Sequence, residues 1–121
     1  MKRTLVIMLV IYGFLCVTAP VRAHHSTAMY TSSKTITGKV LKFDWTNPHA
    51  HIFIETTDDK GNKVVWDCEM MSLNHLRGYG WTSKTVKAGD IISATGAYAK
   101  SGDPSMIASR MKLADGREIS S

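Results

Sequence analysis

Cysteine is nearly absent. The 121 residues hold two, Cys16 and Cys68, and neither stands in a Cys-x-x-Cys pair, which excludes zinc-ribbon, thioredoxin-like and haem-attachment chemistry. No Gly-x-Ser-x-Gly elbow is present, so a serine hydrolase of that type is excluded too. Proline is scarce, with three residues, and no linker, repeat or low-complexity tract divides the chain. The formal net charge is +5, yet Lys2, Arg3 and Arg22 contribute to it from the extreme N-terminal stretch. The remainder has no Lys/Arg cluster able to follow a phosphate backbone, so nucleic acid is not an expected partner. The one long hydrophobic run, Leu5 to Val17, is interrupted by Tyr12 and Gly13. It falls short of the roughly 20 residues that span a bilayer.

That run has the form of an export signal. Lys2 and Arg3 give a positive start, Ala19-Pro20 end the apolar stretch, and Val21-Arg22-Ala23 present modest or small side chains where signal peptidase inspects them. Residues 1–23 are therefore expected to be a cleaved signal peptide, residues 24–34 an N-terminal arm, and residues 35–121 a single domain. The product would be periplasmic or secreted, with no membrane segment after processing. Cys16 leaves with the signal, and Cys68 has no partner for an intramolecular disulfide even in an oxidising compartment. Burial as a small hydrophobe is its expected role.

Alternation dominates the rest of the chain. "TITGKVLKFDW" places Ile36, Gly38 and Val40 on one phase and Leu41, Phe43 and Trp45 on the next, a switch that predicts a bulge or bend with Gly38 as its soft point. After Thr46-Asn47-Pro48, "HAHIFIETT" sets Ile52 and Ile54 against His49, His51 and Phe53. "DDKGN" predicts a hairpin turn. The return strand "KVVWDCEM" has Val64, Trp66 and Cys68 on one face and Val65, Asp67 and Glu69 on the other. Ser72 is placed to cap a short helix carrying Leu73 and Leu76. "WTSKTVKAGD" suggests one more helical turn, and "DIISATGAYAK" and "MIASRMKL" supply two strands joined through Ser101-Gly102-Asp103-Pro104. The fold class is thus mainly β: a small OB-like five-stranded β-barrel with one short helix after the third strand. An open sandwich of the same strands is the competitor.

"AHHSTAMY", "ITGKVLKFDWTNPHAHIFI", "GWTSKTVKAGDIISATGAYAKSGDP" and "MKLADGRE" together resemble a bacterial family of short exported proteins, domain of unknown function 6152. The resemblance runs through nearly the whole chain after the signal. It implies a small secreted β domain and no particular activity. The residues that match its motifs are His24, His25, Ser26, Asn47, Pro48 and His49, while His51 stands where the pattern has an aromatic residue.

The histidines carry the sharpest chemical signal. Cleavage after Ala23 frees the amine of His24, and an α-amine plus the imidazole of the same residue chelate one metal ion. A third nitrogen from elsewhere completes a histidine brace, a set suited to Cu(II). Cleavage one residue earlier would place a histidine third, which also binds Cu(II). Four of the five histidines fall in two pairs, His24/His25 and His49/His51, and the i, i+2 spacing of the second pair puts both rings on one strand face. The candidate metal ligands are therefore His24, His25, His49 and His51, with copper as the cofactor. Thioether sulfur suits Cu(I), and Met29 is the methionine nearest His24, although core packing is the expected role for most methionines. Each histidine also has a plain structural reading: a frayed arm for His24 and His25, a loop hydrogen bond for His49, a wet strand face for His51.

Asp67 and Glu69 share a strand face and could pair with His49 or His51 as acid or base, but alternating acidic residues usually mark a solvated face, and an enzyme is not expected. Trp66 is expected in the core, Trp81 against the helix, and Trp45, beside Asn47, on a ligand face. The leading expectation is a non-enzymatic copper-holding or copper-delivery protein. The alternative is a metal-free module that recognises a cell-envelope protein, a peptide or a glycan through Trp45 and Asn47.

Overall fold

A computed structural model describes residues 27–121 of the chain. A short 3-10 turn, Thr27–Met29, leads into β1 (Tyr30–Asp44), followed by β2 (His51–Thr57), β3 (Lys63–Glu69), α1 (Leu73–Gly78), β4 (Ile91–Ala99), β5 (Ser105–Lys112) and β6 (Glu118–Ser120). Strand β1 begins at Tyr30, so Tyr30, Thr31, Ser33 and Lys34, which lie in the stretch assigned to the arm by sequence, pair with β4. The strands number six rather than five, because the Asp115-Gly116 turn returns the chain for a short pairing of β6 with β5. The segment from Trp81 to Asp90 holds turns in place of the expected helical turn; Thr85 N–H donates to Thr82 O and Asp90 N–H to Lys87 O.

All six strands form one sheet in the order β3-β2-β1-β4-β5-β6, and β3 also pairs in parallel with β5. The pairings therefore run from β3 through β2, β1, β4 and β5 back to β3, a closed circuit that rules out the open sandwich. β1 serves both halves of the circuit. Its first half pairs with β4 and its second with β2. The register shifts between Val40 and Lys42, leaving Leu41 unpaired. This bulge is the phase switch seen in the sequence. It falls at Leu41 rather than Gly38, and it turns Phe43 toward the interior while Leu41 stays exposed.

Gly38 has a different task. A Cβ there would collide with the carbonyl oxygen of Glu55 on β2, so the absence of a side chain is what permits the two backbones to approach. Gly96 on β4 meets the carbonyl of Ile107 on β5 in the same way. Inside the circuit lie Ile36, Val40, Ile52, Ile54, Trp66, Cys68 and, from the other strands, Ile92, Met106 and Met111. Each large side chain withdrawn from water contributes about 1.5–3 kcal/mol, and since no disulfide joins the described residues, this burial is what holds them together. Trp81 is buried and its indole N–H donates to Ser120 O at 2.7 Å, fixing the last strand to the core. No helix among the described residues is long and apolar enough to cross a membrane.

Candidate functional site

The β2–β3 hairpin builds the site. Asp58 organises its turn: the Asp58 carboxylate accepts from the backbone N–H of Lys60 and of Asn62. Those hydrogen bonds, Asn62's foremost, hold the carboxyl below the usual aspartate range. With Thr57 placed opposite Lys63, the antiparallel register puts Phe53 opposite Asp67 and His51 opposite Glu69. Beyond β2 the ladder continues, since Ala50 N–H donates to Met71 O and Met70 N–H donates to Ala50 O. Directly opposed residues share a face and alternate residues return to it. His49, His51, Asp67 and Glu69 therefore stand on the outer face of one hairpin, while Ile52, Ile54, Trp66 and Cys68 point inward and are buried.

The four outer residues pair diagonally. His51 Nδ1 lies 2.7 Å from Asp67 Oδ1, and His49 Nδ1 lies 2.6 Å from Glu69 Oε1. An ionised carboxylate only accepts hydrogen bonds. Nδ1 must then carry the proton in both rings, and in the neutral ring the lone pair sits on Nε2. This is the orientation that outer-sphere carboxylates impose on metal-ligating histidines. His51 also stacks against Phe53, ring centroids 6.3 Å apart, which limits its rotation. Among the described residues, no group of three or more His, Cys, Asp or Glu converges on one point. The hairpin alone offers two separately oriented imidazoles, not a complete ligand set.

Glu69 departs from the wet face expected of it. It is 8% exposed and lines a cleft of about 310 Å³ together with His49, Met70, Met71, Ile107, Ala108, Ser109 and Ser121. The sequence carried a signal for the histidine–carboxylate pairing. Counting back from the Asp58–Asn62 turn sets His51 opposite Glu69, and the histidine and carboxylate pairs then interleave. The burial of Glu69 was not legible, because it depends on β5, which runs beside β3 only through the closing parallel pairing that sets Asp67, Cys68 and Glu69 against Ser105, Met106 and Ile107.

The other expected site residues lie elsewhere. His24 and His25 are outside the described residues. The side-chain oxygen of Asn47, an exposed residue, accepts a hydrogen bond from Leu73 N–H at 3.3 Å and so satisfies a free donor at the start of α1. Ser72 occupies the N-cap position without a side-chain capping bond; its hydroxyl pairs with His75 Nδ1 at 2.9 Å. Trp45 is half-buried against the core, edge-on to Phe43 at 5.6 Å and covered by the Arg77 guanidinium at 5.7 Å. Met70, Met106 and Met111 are buried, whereas Met29 and Met71 are exposed. Cys68 is fully buried, and burial, with the Asp67 charge second, pushes its thiol up to about 12. It is a packed, protonated thiol, not a nucleophile.

The model of a family of unknown function, DUF6152, matches residues 13–108. No curated protein matches the sequence. Among solved structures, the mitochondrial single-stranded DNA binding protein Rim1 of S. cerevisiae is similar to this chain with a TM-score of 0.51 at 13% identity, over 68% of this chain and 93% of that one. A likeness at that identity is one of fold.

Proposed function

Because the chain belongs to DUF6152, a family of unknown function, its role has to be argued from its own residues, and we propose that it is an exported copper-binding protein built on a small OB-type barrel. His24, freed by cleavage after Ala23, supplies its amine and imidazole. His49 supplies the third nitrogen through Nε2, with His51 or His25 accessory. The role is copper holding or delivery, without catalysis.

One observation carries this reading. His49 and His51 share a face, and each has Nδ1 engaged by a carboxylate of β3, which leaves two Nε2 atoms as free donors.

The fold neighbour's ligand is not carried over. In an OB-type barrel the face of the second and third strands is a usual place for an oligonucleotide, and here that face holds Asp67 and Glu69, which repel phosphate. Of the two contacts named for the envelope-binding alternative, Asn47 accepts a hydrogen bond from Leu73 N–H, and Trp45 meets Phe43 edge-on with the Arg77 guanidinium over its ring. A Cu(II) competition titration on protein beginning at His24, repeated with that α-amine acetylated, tests the proposal. The expected result is at least a hundredfold weaker binding for the acetylated form. Equal affinities would remove the brace.

A further inference from the structure

The cleft beside Glu69 joins donors of two kinds. Its walls include His49, whose Nδ1 is held by Glu69, and the consecutive thioethers Met70 and Met71. Met70 belongs to the core, but Met71 leaves 39% of its surface in solvent, an unusual position for a long apolar side chain with core available next to it. Ile107 and Ala108 make the rest of the wall largely apolar. Ser121 Oγ, fully buried in that wall, has no hydrogen-bond partner among the described residues.

We propose that this cleft is a Cu(I) site, with His49 Nε2 and the Met71 sulfur as its ligands and Met70 as the neighbouring soft wall. The inference rests on the copper reading above and adds an oxidation state to it. Thioether selects Cu(I), whereas Cu(II) asks for nitrogen in a tetragonal array. A monovalent ion also loses less hydration than a divalent one on entering an apolar cleft. His49 is thus common to two ligand sets: amine and imidazoles of the arm for Cu(II), sulfur of the cleft for Cu(I). Copper supplied in either state is retained through one shared imidazole.

The test uses the processed full-length protein under anaerobic conditions, with Cu(I) partitioned against bicinchoninate and Cu(II) measured separately. Met71→Leu keeps volume and apolarity, and its circular dichroism and melting curve should match wild type. It is expected to weaken Cu(I) binding at least tenfold while Cu(II) affinity stays within twofold, and to abolish the sulfur scatterer in the copper K-edge absorption of the Cu(I) form. Acetylating the His24 amine should do the reverse, weakening Cu(II) and sparing Cu(I). Undiminished Cu(I) affinity in Met71→Leu, or loss of Cu(I) binding on acetylation of the amino terminus alone, overturns the cleft site. Failure of wild type to bind Cu(II) while Met71-dependent Cu(I) binding persists would overturn the brace and leave the cleft standing.

Discussion

Glu69, nearly buried at the junction of β3 and β5, holds its Oε1 2.6 Å from His49 Nδ1. The carboxylate thereby decides which nitrogen of the ring carries the proton and which faces outward as a donor. Neutralising it with Glu69→Gln keeps the shape but removes the charge that selects this tautomer. Partners of this kind are worth about 10–100-fold in metal affinity, and that loss is the expected outcome in a Cu(II) competition titration. Asp67→Asn, acting on His51, should have a smaller effect because His51 is accessory.

Asn47 separates the ligand-face reading from the helix-capping one. Asn47→Ala removes the acceptor for Leu73 N–H and should lower stability by about 1 kcal/mol, in the ordinary range for a lost cap. Copper affinity should not change. Asn47→Asp preserves an acceptor at the same place, so urea denaturation is expected to show most of the stability retained.

Close backbone approach predicts a contrast between two glycines. Gly38→Ala drives a methyl group onto the Glu55 carbonyl and should destabilise by about 1–3 kcal/mol or more, as overpacking does. Gly78, at the end of α1, has open space around its missing Cβ, and Gly78→Ala should be close to neutral. Thermal melts of the two variants give the comparison directly.

Cys68 sets a pH dependence on the alkaline side. Its ordinary thiol value of 9.0 is pushed up to about 12 by burial, with the Asp67 charge adding to it. Between those values the unfolded chain releases a proton that the native state keeps. Stability is then full below pH 9 and falls as pH rises toward 12, by at most about 1.4 kcal/mol per pH unit. Cys68→Ala should flatten that limb. Denaturation midpoints of both proteins at pH 8, 9.5 and 10.5 would check it.

Local pattern made much of this structure legible. Period-two alternation placed β1 to β5, the Asp58–Asn62 turn fixed the β2–β3 register, and Trp66 and Cys68 are buried as their phase demands. What escaped depends on distant partners. β6 is three residues long and exists because β5 offers it an edge. Asn47 became a cap because α1 begins beside the loop that follows β1, a tertiary neighbour 26 residues away in sequence. Trp45 sits close to Asn47 in sequence yet is covered by Arg77 from the helix. Asp67 and Glu69 were visible as histidine partners, but the general habit of acidic strand residues argued the other way.

The central claim is that one copper ion is held jointly by residue 24 and His49. The most direct measurement is the electron paramagnetic resonance of the Cu(II)-loaded protein beginning at His24, with nitrogen couplings resolved and compared with His49→Ala. The account predicts at least three coupled nitrogens in the first and one fewer in the second. An unchanged nitrogen set after His49→Ala would contradict it.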